Sequence, residues 1–273
     1  MISQVEVRSS LGQLLTLDLD STDDGFIVQS IDGLDPVQAT LVTSSFAQLD
    51  GAIFQASRRE TRNIIITLGL EPDYISTSVR DLRNQLYQFF MPKSQVGLRF
   101  FFEDDPTVEI FGTVESFDSI LFSAEPKAII SLVCFDPDFV ALESIEVEED
   151  TVSDTTEFLI EYDGTVETGI ILNLLVDRAE TEFTVYHRAA DDVVRTTDIA
   201  VVLEADDVLT LNTNVGSKGL TLLRSSVTTS VLYGVSPQSN WLQLMPGDNY
   251  IRVYATGDPI PFTLEYTPRY GGL

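Results

Sequence analysis

Cysteine, histidine and tryptophan occur once each in the 273 residues, as Cys134, His187 and Trp241. One cysteine cannot close an intrachain disulfide, and one histidine beside it cannot build the common Cys/His metal sites. A serine triad would have to use His187, yet the sequence holds no G-x-S-x-G elbow, and neither a P-loop nor a GxGxxG is present. No apolar run reaches the ~20 residues that span a bilayer. The opening MISQVEVRSSLGQLL lacks the basic-then-apolar order of a signal peptide, so the chain is expected to fold in a cytoplasm. Basic residues are also scarce: 16 Lys and Arg face 43 Asp and Glu, a formal net charge of −27. Such a surface repels phosphate backbones and anionic membranes, and suits a soluble particle component or a channel wall along which DNA slides without sticking.

What chemistry-bearing residues there are read as structural. Cys134 sits in the apolar run Ile129–Phe135 and is expected to be a buried, inert thiol. His187, at a strand end beside Arg188, is expected at the surface. Asp23-Asp24, Asp191-Asp192 and Asp206-Asp207 are adjacent carboxylates, but neighbours on a strand point to opposite faces, the wrong geometry for a glycosidase pair. A calcium loop begun at Asp20 would place Ile31 where a bidentate Glu is required, so Asp18–Gly25 reads as a hairpin tip. No catalytic, metal or cofactor-binding residue is expected, and the chain reads as a non-enzyme.

The length fits two domains, and the expected division is 1–142 and 143–273. The first half alternates apolar runs with turn signals: Val5–Leu19, Phe26–Ile31, Thr40–Thr43, Ile64–Leu70, then Val96–Phe102 with Val108–Ser116, and Phe117–Ser123 with Ala128–Phe135. One helix interrupts them, capped by Ser78 with Asp81, striped by Val79, Leu82, Leu86, Phe89 and Phe90, and stopped at Pro92. An acidic stretch follows, ten acidic residues and no basic one from Glu143 to Glu167. The second half is a series of short strands with Gly, Asp, Asn and Pro turns, the pattern of a sandwich or jelly roll. The fold class is therefore mainly β, an α+β first domain followed by a β-sandwich.

Gly33–Leu70 stands out. It carries turn signals at Gly33–Pro36 and Asp50-Gly51 and crowds Arg58, Arg59 and Arg62 into an acidic chain. It reads as a long exposed strand pair meant to meet another copy, with Arg58, Arg59, Arg62 and Asn63 as subunit-contact residues in a head-to-tail ring. Trp241 is open to two readings, a core residue or a sugar-stacking platform with nearby tyrosines.

The order Gly33-Leu34-Asp35-Pro36, Asp50-Gly51 with Phe54, Arg62-Asn63-Ile64, one helix, Gly112-x-Val114-Glu115-Ser116 and Cys134-Phe135-Asp136-Pro137-Asp138-Phe139 resembles the distal tail proteins of long-tailed siphophages. In the second half Gly169, Leu220–Arg224, Pro237-x-x-x-Trp241, Pro246-Gly247-x-Asn249 and Phe262-x-Leu264-x-Tyr266 resemble the galectin-like or carbohydrate-module-like sandwich of the same family. The resemblance implies a structural virion protein at the tail tip, made in the host cytoplasm. Six copies would form a ring between the tail tube protein and a hub, tail-fibre or receptor-binding protein, with tape measure and DNA passing through its lumen. It implies no cofactor. A carbohydrate-binding adhesin acting through the second domain is the alternative.

Overall fold

A computed structural model gives the chain as two compact units, Met1–Leu142 with Tyr270–Leu273, and Glu143–Arg269. It describes residues 1–19, 25–45, 50–73, 75–120, 123 and 125–273. Residues 20–24 of the expected Asp18–Gly25 hairpin tip lie outside the described residues, as does Ala124 of the turn before Lys127.

The first unit contains β1 (Ile2–Ser9), β2 (Leu14–Asp18), β3 (Phe26–Asp32), β4 (Ala39–Ser44), β5 (Ile53–Arg59), β6 (Arg62–Leu70), α1 (Val79–Tyr87), β7 (Gln95–Phe102), β8 (Val108–Ile120), β9 (Lys127–Cys134) and β10 (Phe139–Ala141). Its main sheet runs β2-β1-β7-β8-β9-β6-β3, with β10 attached to β8. All pairings along this path are antiparallel. Period-2 alternation makes these strands: in β9 every second residue from Ala128 to Cys134 is buried, and in β6 Ile64, Ile66 and Leu68 go inward together. Each apolar side chain so buried contributes about 1.5–3 kcal/mol, so no single member decides the fold.

The capping box at the start of α1 closes as the sequence requires, Asp81 N–H donating to Ser78 Oγ at 3.3 Å and Ser78 N–H to Asp81 Oδ2 at 3.1 Å. Leu82 and Leu86 bury the helix face in the sheet core, and the helix ends at Tyr87, short of the expected stop at Pro92, so that Phe89 and Phe90 enter the same core from the turn after it. The two strands expected at Val108–Ser116 and Phe117–Ser123 are one strand instead. β8 keeps pairing with β9 across an irregularity between Val114 and Ser116, because a bulge absorbs one residue and bends the strand without ending it.

The second unit is a two-sheet sandwich. One sheet runs β11 (Ile145–Asp150), β21 (Pro261–Tyr266), β13 (Thr168–Leu175), β16 (Val208–Asn212), β17 (Gly219–Arg224) and β18 (Val227–Ser230), with β19 (Gln243–Leu244) on β13. The other runs β12 (Phe158–Tyr162), β20 (Gly247–Tyr254), β14 (Glu180–Arg188) and β15 (Val194–Leu203). Inward residues of both, among them Leu172, Leu211, Leu264, Val185 and Val253, make one core. The acidic stretch after Glu143 is in part an edge strand, β11, whose carboxylates face solvent. Charge at an exposed edge discourages strand addition there.

The last residues depart from the expected division. β22 (Arg269–Tyr270) pairs with β10, and Tyr270–Leu273 belong to the first unit. Leu273 N–H donates to Leu34 O at 3.0 Å, so these residues are fixed by backbone bonding inside that unit.

Candidate assembly surface

β4 and β5 form a two-stranded sheet of their own, paired from Ala39↔Arg59 to Ser44↔Ile53 with a bulge between Val42 and Thr43. Every residue of the two strands is exposed except Ser44, which is half-buried. Residues opposite one another share a face, so Leu41 and Phe54 project on one side and Val42 and Ile53 on the other, all of them exposed. A hairpin with two wet apolar faces is marginal by itself in water. From Pro36 to Arg59 the sequence has one acidic residue, Asp50, against Arg58 and Arg59. In a chain of net charge −27 this is a locally acid-poor, apolar ribbon.

What holds the ribbon is its root. Arg62, at the start of β6, is 1% exposed. Its Nε donates to Pro137 O at 2.6 Å, Nη1 to Gly33 O at 2.6 Å and Asp35 O at 2.7 Å, and Nη2 to Gly271 O at 2.6 Å. The guanidinium carbon stands 4.4 Å from the centre of the Phe139 ring. Burial lowers its pKa from the ordinary arginine value, and the Asp138 carboxylate acts the other way. One side chain thus joins the turn before the ribbon, the break after β9 and the chain's final residues. Gly33 is part of that geometry: its φ is +90°, and a Cβ there would lie 2.0 Å from Asn63 O.

The expected contact residues therefore separate. Arg58 is exposed on the ribbon, its side chain 76% accessible, with Glu60 3.7 Å away. Arg59 is partly exposed but its guanidinium grips the buried Asp138 through both carboxylate oxygens, which ties the ribbon's foot to its own subunit. Asn63 is exposed and accepts from Ser131 Oγ at 3.0 Å. Arg62 is not a surface residue, and the expectation that it meets a neighbouring copy is corrected: its donors are spent on carbonyls inside the unit.

Elsewhere Cys134 is buried, and burial pushes its thiol up to about 11, which keeps it protonated and unreactive at neutral pH. His187 is buried, not at the surface, because it shares the inward phase of Phe183 and Val185 on β14. Its Nε2 lies 2.9 Å from Asn249 Oδ1; the Asn249 amide nitrogen donates to Met245 O and Gly247 O, so the pair fixes the turn before β20. Trp241 packs partly buried against the sandwich core with Lys218 Nζ 5.7 Å from its ring centre. Among the described residues no three His, Cys, Asp or Glu side chains converge as a metal site.

Residues 163–270 match a family model described as siphovirus-type tail component, C-terminal domain. The second unit is thus similar, over most of its length, to the C-terminal domain of siphovirus-type tail components. The whole fold is similar to the crystal structure of the Dit protein of phage SPP1, at a TM-score of 0.71 and 18% identity, over 97% of this chain and 98% of that one. That protein is described as a paradigm of the hub adsorption apparatus in phages infecting Gram-positive bacteria. A chain of the phage P2 baseplate in its activated conformation with calcium aligns over 100% of both chains at 9% identity, with a TM-score of 0.48. No curated protein is matched. The resemblance to siphophage distal tail proteins is borne out, in the second unit by the family model and along the chain by the similarity of the mainly β fold.

Proposed function

We propose that this tail component is the ring-forming adaptor at the distal end of a siphophage tail, six copies closing around a lumen for tape measure and DNA. The tail tube would join one side, and a hub, fibre or receptor-binding protein the other. The observation that carries the reading is the β4–β5 ribbon, apolar and exposed on both faces, acid-poor, and clamped at its root by Arg62 and Arg59. A subunit invests this much buried polar bonding in aiming an otherwise uncovered ribbon only if something covers it. The acidity supports DNA transit, since a wall of carboxylates gives phosphate no counterion to displace. Trp241 offers little to an adhesin reading, being packed on the core beside Lys218.

Negative-stain imaging of the full chain tests the proposal, six-fold rings with a central hole being the expected result. Replacing Val42 and Ile53 by Ser should reduce the assembly to the 30.3 kDa chain in light scattering. A protein that stays monomeric and also fails to bind tail-tube rings refutes the reading.

A further inference from the structure

In the second unit, charge is missing from one place. From Val208 to Gly247 the chain has no Asp or Glu, so all 43 acidic residues lie outside this stretch. It builds β16, β17 and β18 and the turns that follow. The sheet face these strands share with β13 is correspondingly bare: none of its outward positions carries a charge. The register sets the outward side chains in rows. Leu175, Val208 and Leu223 stand abreast, the row ending at Thr228, and beside it Asn173, Thr210 and Thr221 end at Ser230. Leu175 is 53% and Leu223 39% exposed, and Thr210 Oγ1 donates to Asn173 Oδ1 at 2.7 Å. An open groove of about 560 Å³ crosses the sheet from Val208 to Glu148 and Asp150.

A merely solvated sandwich face in this chain looks different. The other sheet of the same sandwich turns Glu161, Glu182, Arg188, Asp198, Asp248 and Arg252 outward. The bare face is also edged asymmetrically. β11 closes one side with Glu146, Glu148 and Asp150 on the same outward phase. On the other side β18 ends the sheet without a charge, an open strand edge of the kind proteins ordinarily block. The free side of β15, in the other sheet, is blocked in that way: Ser236 N–H donates to Asp198 O at 2.9 Å and Asn240 N–H to Thr196 O at 2.8 Å. An apolar centre in uncharged polar surroundings with a charged flank is the layout of a protein–protein interface. No aromatic ring stands on an outward position of the face, so it lacks a platform on which a sugar stacks. A second copy fits poorly, since it would bring 43 acidic residues against 16 basic ones to a flank already negative.

We propose that this face seats a different protein of the particle, one with an uncharged, apolar-centred surface over Leu175, Val208 and Leu223 and with lysine or arginine at the β11 carboxylates. The assignment rests on the tail-component reading above and gives the second unit a partner surface of its own, separate from the ribbon.

Photocrosslinking in assembled particles tests it. The full chain, carrying p-benzoylphenylalanine in place of Thr210, is built into phage particles, irradiated and mapped by peptide mass spectrometry. The link should go to one segment of one other protein, with an apolar side chain at the link and Lys or Arg beside it. The same group in place of Thr184, on the charged sheet, should give no link to that segment. The linked protein, purified, should bind the full chain at least about tenfold more weakly when the chain carries L175E/L223E. E146K/E148K should weaken binding too, and exchanging the partner's neighbouring cation for Glu should restore it; this second variant decides if the first lowers the melting transition of the second unit. A link only to another copy or to a saccharide, no link, or binding unchanged in both variants overturns the proposal. A chain that never enters particles overturns the tail-component reading itself, whereas a chain present there but unlinked at Thr210 overturns the docking assignment alone.

Discussion

Replacing Arg62 by Met should unlock the ribbon and destabilise the first unit alone. Met keeps an apolar stem beside Phe139 while removing every donor. Four carbonyls, of Gly33, Asp35, Pro137 and Gly271, then lose a charged partner at 2.6–2.7 Å. A hydrogen bond to a charged group is worth about 1.5–3 kcal/mol and an orphaned buried acceptor costs about 1–3 kcal/mol. Two terms offset the sum: Met no longer has to be desolvated as a cation, and some of the carbonyls regain water. Breaking a buried polar network by removing one member costs about 3–5 kcal/mol in comparable cases, which is a large share of the ~5–15 kcal/mol that holds a domain. For a unit of this size that is a fall of roughly 10–20 °C in its melting temperature. Calorimetry of the full chain reads it directly, since the transition of the first unit should drop and that of the second unit should stay. Lys at the same position should fall between, an ammonium having three donors at a point where the guanidinium spreads five over a plane. The surface change R58M should leave both transitions in place. A loss below about 1 kcal/mol in R62M, or an equal shift of both transitions, refutes the argument that Arg62 organises the root.

Gly33→Ala should produce the same selective loss, because φ is +90° and the new Cβ would sit 2.0 Å from Asn63 O, whereas Gly12→Ala, at φ +79° with nothing within 4 Å of its Cβ, should cost about 1 kcal/mol; the first-unit melting transition separates the two. In the second unit burial lowers the pKa of His187 from its ordinary 6.5, the Asn249 bond and Asp191 opposing and Arg195 assisting, and Nδ1 is buried without a partner. A base depressed in the folded state stabilises fully above its unfolded pKa and loses that contribution as pH falls, so the second transition should decline as the pH drops below that ordinary value in the parent and less steeply in His187→Gln.

Much of the architecture was legible because strand periodicity and turn chemistry agree. The helix was readable from Ser78, Asp81 and its apolar stripe, and the sandwich from short runs between Gly, Asn and Pro turns. Charge misleads about burial wherever it disagrees with strand phase. Arg62, Ile64, Ile66 and Leu68 share one parity on β6, and three of those four are plainly inward residues, so the pattern already turned Arg62 to the core. His187 stands in the same relation to Phe183 and Val185. Residue type alone assigns each to the surface, because a lone charged or titratable residue usually lies there. The partners that make the exceptions affordable were out of reach of local pattern. Gly271 lies 209 residues from Arg62, and only the folded chain puts its carbonyl beside the guanidinium.

The same distance shapes how the first unit can be completed. The arginine site draws on three places: the turn at Gly33–Asp35, the break at Pro137, and Gly271, which follows the whole of the second unit. A chain that has made only the first 142 residues has three of the four carbonyls and an Arg62 that is one acceptor short. The buried cation is then incompletely satisfied, which favours an open root over a closed one. An apolar ribbon on an open root is less well aimed at a partner than one on a closed root. The return of Tyr270–Leu273 to the first unit therefore places the last fixing of the ribbon after synthesis of the second unit.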